Sequence, residues 1–363
     1  MTTTSDASSS PNAVEEKRAY VHSLDGVRGL AALAVVLYHV EYFHAWFARG
    51  YLAVDLFFIL SGFVLTHRYG QQIERRGSFG RFALARLARL YPLHFATLAV
   101  LALAELVLGH YGKHAVIQGD LGYSLIMNLL LLQAVGFSDS PSWNTSAWSI
   151  SAEFWFNLLW ALLLAVPLIK RFITPLFALA WAVGLMLLIQ HSVLIDYHME
   201  KIGGMTTALL RCAVGFSCGA LIYGVRQQAQ RFSRWAAVAG LIAVLLVVAL
   251  KPEYMDYWVV AFVFPLLIIA SLASAHQSWW VTFLEWKPVA WLGVISYSVY
   301  LNHLLVIKAV NLVASKLDLL SRGALIVVVV LALSAFTYRF VEAPARRWLV
   351  SLAGRSSGIQ VPA

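Results

Sequence analysis

Apolar residues along this chain gather into long runs separated by short polar breaks, and the runs set the architecture before any motif is read. Those at 24–46, 51–69, 82–108, 143–168, 172–190, 205–223, 234–250, 257–275, 289–313 and 322–341 each approach the ~20 apolar residues a helix needs to cross hydrocarbon. A further run at 121–137 is shorter and is interrupted by Asn128 and Gln133. The expected fold is an all-α integral membrane protein of about ten transmembrane helices, with a short re-entrant or interfacial outer segment. Residues 1–22 are Ser/Thr-rich and polar without an apolar core, so they read as a disordered cytoplasmic tail and not a signal peptide. A membrane domain is expected over 23–348, and a second disordered cytoplasmic tail over 349–363.

Composition agrees. The chain is 60% apolar, with a mean hydropathy of +0.73 and 12% charged residues, half the soluble average of about 25%. Its net charge of +9 fits basic cytoplasmic loops and anionic lipid headgroups better than nucleic acid. Cys212 and Cys218 are its two cysteines. Six residues apart on a helix they face different ways, which suggests neither a disulfide framework nor a metal site.

Loop charge orients the spans. If 121–137 crossed, the clusters Lys170/Arg171, Arg226/Arg231/Arg234 and Arg346/Arg347/Arg355 would all fall outside. If it does not cross, they join Lys17/Arg18 and Arg68/Arg75/Arg76/Arg81 on the cytoplasmic side, as the positive-inside rule requires. Both termini are then cytoplasmic, in the plasma or inner membrane.

Ionisable residues inside apolar runs are costly and persist mainly where they function or find a partner. Arg28 and His39 lie eleven residues apart in the first run, close to three turns, and so share a face about 16 Å apart along the axis. With the spans oriented as above, His39, Glu153 and His303 fall at similar depth, Asp55 somewhat above them, and Arg86 and Arg89 near the cytoplasmic surface level with Arg28. Cations at the entrance suit phosphates, because guanidinium groups offer fixed donors. A neutral imidazole with a carboxylate to orient it suits proton removal from a hydroxyl.

These residues fall in blocks that resemble the membrane acyltransferase family 3. Gly26-Val27-Arg28 through His39 resembles the family's opening signature, and Gly50 to Phe63, with Asp55, its second. Arg86-x-x-Arg89 with Tyr91-Pro92, Trp148 to Glu153, the Tyr-Leu-x-His at His303, and Phe340-Val341-Glu342-Ala343-Pro344 resemble the others, in order from 24 to 348. The resemblance implies transfer of an acyl group, most often acetyl, from acyl-CoA as co-substrate to a carbohydrate or glycan hydroxyl, with no resident cofactor. It implies His39 as the catalytic base with Glu153 and Asp55 as acidic partners. Donor binding would fall to Arg28, Arg86 and Arg89, with His303 in the substrate site. Some members carry an extra hydrolase-like domain, which is not expected here.

Other readings compete at each position. Arg28 could snorkel to headgroups. Glu342 and Arg346 could form an i,i+4 pair. The tryptophans at 143, 148, 279, 280, 286 and 291 fit an interfacial belt. The rival function is a permease using His39, Asp55, Glu153 and His303 as a proton relay; the cytoplasmic arginines and the lack of an internal repeat disfavour it. A nearer rival is the same chemistry with succinyl or longer acyl donors on a small metabolite.

Overall fold

The computed structural model describes residues 11–70, 73, 78–112, 120–138, 142–191, 199–250, 255–273 and 278–357. The chain begins in α1 (Pro11–His39), α2 (Ala53–Tyr69), α3 (Ser78–His110) and the short α4 (Leu121–Leu129). It continues through α5 (Trp148–Leu164), α6 (Pro167–Arg171), α7 (Ile173–His191), α8 (Thr207–Gly224), α9 (Arg226–Gln230) and α10 (Ser233–Leu250). The last part holds α11 (Met255–Trp258), α12 (Phe264–Ala270), α13 (Trp279–Leu284), α14 (Lys287–Val313), α15 (Leu319–Thr337) and α16 (Ala343–Ser357). Among the described residues the strands are one antiparallel pair, Lys201–Ile202 with Met205–Thr206.

Among the described residues seven helical stretches are long and apolar enough to cross a membrane: Gly50–Tyr69, Ser78–His110, Thr145–Leu164, Ile173–His191, Thr207–Gly224, Lys287–Val313 and Leu319–Leu352. The other three expected runs fall on α1, which contains Asp25 and Arg28, and on the shorter apolar helices Ser233–Val247 and Asp256–Ala270. The chain is therefore an all-α membrane protein. Two helices widen into a π turn just before a proline, Val259–Val263 before Pro265 and Tyr338–Glu342 before Pro344. A proline offers no N–H to the carbonyl four residues back, so the ladder shifts register there.

Burial separates centre from rim. In α8 72% of the apolar window is buried and in the α2 stretch 67%, against 17% in α7 and 22% in the α15–α16 stretch. Lipid tails give no hydrophobic drive between helices, so close backbone approach through small residues has to bind them. A side chain added at Gly62 would strike the Phe216 carbonyl, and one at Gly219 the Ile59 carbonyl. Glycine at both positions lets α2 and α8 meet backbone to backbone. Gly29 and Gly293 do the same for α1 and α14, which run parallel: Arg28 lies against Gly293 and His39 against His303.

Helix extends beyond the expected membrane domain at both ends. Residues 11–22 are helical as the start of α1, and α16 runs past the expected domain end at 348 to Ser357; residues 1–10 and 358–363 lie outside the described residues. The segment at 121–137 is a nine-residue helix followed by irregular backbone. Nine residues rise about 14 Å, too little to cross a core of ~30 Å. The irregular part is tied to protein: the Leu131 carbonyl accepts from Ser151 Oγ (2.6 Å) and Trp155 Nε1 (2.9 Å), and the Ala134 carbonyl from Thr206 Oγ1 (2.7 Å). That is the condition under which non-helical backbone can sit at membrane depth.

Candidate active site

The α1–α14 contact sets one wall of a cavity of about 160 Å³, lined by Arg28, Arg86, Arg89, Glu153, Tyr297 and Tyr300 among others. Arg28 reaches across the close approach at Gly29. Its Nε donates to Ser296 Oγ (2.9 Å), and its Nη2 to the Gly293 carbonyl (3.1 Å) and to Asp25 (2.9 Å) one turn earlier. From α3, Arg86 Nη2 binds Glu153 Oε1 at 2.6 Å, and Ser61 Oγ donates to the same oxygen at 2.8 Å. Arg89, one turn on, pairs with Glu342, whose other oxygen accepts from Ser298 Oγ at 2.8 Å. The π turn ends at Glu342 and so aims it inward at α3. Arg89 also lies over the Tyr297 ring at 5.4 Å.

Three guanidinium groups thus face three carboxylates, Asp25, Glu153 and Glu342. A guanidinium has five N–H donors, so each arginine keeps donating capacity beyond its acid. Arg86 makes this concrete: its Nε is buried and without a partner among the described residues. A buried donor left unsatisfied is unfavourable, and Arg86 as a whole lines the cavity, where its guanidinium would stabilise an anionic oxygen.

Tyr300 closes the cavity. Its hydroxyl donates to the Ser146 carbonyl (2.9 Å) and lies 2.8 Å from Ser149 Oγ, while its ring meets Phe57 edge-on at 5.6 Å. Beyond it, the His303 ring lies 5.8 Å from Tyr300 and 4.9 Å from His39. His303 is fully buried, whereas His39, at the last residue of α1, is exposed. The polar groups therefore form two sets, an arginine-lined cavity and a histidine pair, with Tyr300 between them.

The expected depths hold for His39 with His303 but fail for Glu153, which sits among the arginines. The reason is local. A buried irregular stretch with Ser142, Trp143, Asn144 and Ser146 leads the chain inward before α5 begins, and Asn144 Nδ2 is fixed to the Leu301 carbonyl at 2.9 Å. The start of α5 is thereby level with Tyr300, and Glu153 lies further down the helix. Asp55 is also not a loose acid: Arg211 clasps it through two bonds of 3.0 and 2.7 Å, both residues are buried, and Arg211 stacks on Trp148 at 5.1 Å. Glu342, expected to pair with Arg346, pairs with Arg89 instead. Reading the sequence missed Arg211 and the two tyrosines. Arg211 was detectable, since an acid and a base in separate apolar runs each need a partner; the tyrosines resemble belt aromatics and gave no such signal.

The peptidoglycan O-acetyltransferase OatA of Listeria monocytogenes is 28% identical over 91% of this chain and 56% of its own length. The putative peptidoglycan O-acetyltransferase YrhL of Bacillus subtilis is 26% identical over 90% of this chain and 55% of its own. Protein 2 in the picA locus of Rhizobium radiobacter is 40% identical over 38% of the chain. The chain thus spans little more than half the length of the O-acetyltransferases it matches, and no solved structure matches it. The acyltransferase domain family matches residues 21–339, nearly all of the helical bundle and both polar sets apart from Glu342, and the chain belongs to that family of acyl-transferring enzymes.

Proposed function

We propose that this chain is a membrane O-acyltransferase that takes an acyl group, acetyl in the first instance, from cytoplasmic acyl-CoA and delivers it to a glycan hydroxyl on the other side of the plasma or inner membrane. The observation that supports it best is the cavity with Arg28, Arg86 and Arg89, one of whose buried donors has no partner among the described residues, with a histidine pair on from Tyr300, which lines the cavity. In this reading the phosphates of the donor bind the arginines, while the long, thin pantetheine arm follows the cavity toward Tyr300. His39, reachable from outside, receives the acceptor. Its neutral imidazole takes the hydroxyl proton as the oxygen attacks the thioester. Glu153 and Glu342 hold Arg86 and Arg89 in place, and Asp55 locks Arg211; none of the three acts as the acid beside His39. That leaves a proton relay through Asp55 and Glu153, as the permease reading requires, without support. The relatives named as peptidoglycan O-acetyltransferases favour a cell-wall glycan as the acceptor class.

The full reading has ten crossings, both termini cytoplasmic and 121–137 as a re-entrant or interfacial outer segment. Purified protein should release CoA from acetyl-CoA in the presence of a glycan acceptor, followed with a thiol reagent. His39→Ala should insert in the membrane as well as the parent does and lose this activity. Release of CoA by that variant at the parental rate would sink the mechanism.

A further inference from the structure

We propose that His303 is the positioning residue for His39, its Nε2 accepting a hydrogen bond from the Nε2–H of the protonated His39 ring. The inference rests on the reading of His39 as the base. Its grounds are the tautomers. His303 Nδ1 lies 2.5 Å from the Tyr300 carbonyl and His39 Nδ1 lies 2.9 Å from the Val35 carbonyl. A carbonyl oxygen only accepts, so in both rings the hydrogen is on Nδ1 and Nε2 presents a lone pair. His303 is fully buried and its Nε2 is without a partner among the described residues. A buried acceptor with no donor is unfavourable at rest and becomes satisfied once its neighbour gains a proton. The neighbour is His39, at 4.9 Å between ring centroids and 54° between planes, close enough for a nitrogen of each ring to come within hydrogen-bond distance.

The other candidates for this role are engaged elsewhere: Asp55 is clasped by Arg211, and Glu153 by Arg86 and Ser61. Around His303, α1 contributes His39 and its own helix Tyr300. The neighbouring residues Leu301 and Asn302 bond Asn144 of the stretch before α5 and Thr337 of α15, neither of them ionisable.

The step balances without further reagents. The acceptor oxygen bonds to the acyl carbon, the carbon–sulfur bond of the thioester breaks, and the hydroxyl proton moves to His39. While the imidazolium lasts, its N–H is held by His303 Nε2. The proton then leaves to the CoA thiolate, which departs as the thiol.

The test uses two substitutions that separate the nitrogens. His303→Asn keeps a donor near the Nδ1 position for the Tyr300 carbonyl but empties the Nε2 position; His303→Gln places an amide oxygen near Nε2. In native membranes, the rate at which diethyl pyrocarbonate modifies His39, read by mass spectrometry across pH, reports how readily His39 is protonated and needs no turnover. The midpoint should move down by about one pH unit in His303→Asn, because a partner for the charged ring is lost, and by less in His303→Gln. With acetyl-CoA, His303→Asn should lose about tenfold or more in kcat, a fraction of the ~10²–10⁴ that acid–base catalysis supplies, at unchanged donor KM. An unmoved His39 midpoint in His303→Asn overturns the proposal, as does parental kcat in that variant. If the parent protein turns over no acetyl-CoA yet the midpoint moves, the acyltransfer reading fails and the histidine pair stands.

Discussion

At the scale of single residues, the charges at the centre of the bundle stand in pairs, Asp25 with Arg28, Asp55 with Arg211, Glu153 with Arg86 and Glu342 with Arg89, and the pairs decide which groups remain available for chemistry. Arg211 and Asp55 are the most deeply buried of these pairs, at 4% and 1% exposed side chain, and join α8 to α2 where no solvent screens them. Removing one partner leaves a buried, uncompensated charge, which costs about 3–5 kcal/mol, whereas replacing both with apolar groups of similar size is close to neutral. Arg211→Met alone should therefore lower the melting temperature in detergent sharply, and Asp55→Leu with Arg211→Met should recover most of the loss. Failure of the double variant to recover would give the pair a role beyond packing. The arginines of the cavity differ in kind: Arg28 and its partner Asp25 are each about a third exposed, so that bond is weak and easily traded for a ligand.

At the scale of elements, the parallel contact of α1 with α14 does two things at once. Its lower part seats Arg28 on Gly293 and Ser296, and its upper part sets His39 against His303. Eleven residues on α1 match ten on α14 because both rise by the same amount per residue. The α2–α8 contact has no polar function of its own but fixes where Asp55, Ser61 and Arg211 stand. Gly219→Ala would press a methyl group into the Ile59 carbonyl and force the helices apart, at a cost of about 1–3 kcal/mol. Thermal unfolding of the purified variant should show that loss; an unchanged midpoint would mean the two backbones are not in close contact.

At the scale of the whole molecule, the arrangement has a direction. An arginine-lined cavity and an exposed histidine lie on opposite sides of Tyr300, which suits a donor and an acceptor arriving from different sides of a bilayer. The positive-inside rule predicts the orientation from the basic loops, so reporters fused within 109–120 and within 224–233 should fall on opposite sides, the first extracytoplasmic and the second cytoplasmic. Both on one side would remove the basis for placing the arginines at the cytoplasmic face.

The sequence by itself determined the fold class, because a helix is the one backbone form that satisfies all its own hydrogen bonds within a long apolar segment. It also determined the order of the motif blocks, and that Arg28 and His39 share a face, since a regular helix fixes the angle between residues. Counting residues from span edges placed His39 beside His303 correctly, because α1 and α14 are unbroken between the points compared. The same counting misplaced Glu153, because the chain travels inward as irregular backbone before α5 starts and depth per residue is then not constant. Which acid meets which base was beyond any single-chain pattern. Asp55 with Arg211, Glu153 with Arg86 and Glu342 with Arg89 join residues 156, 67 and 253 positions apart. Those partnerships exist only because glycines let particular helices touch and a π turn re-aims one side chain. Tertiary packing thus set His303, and not a carboxylate, against His39.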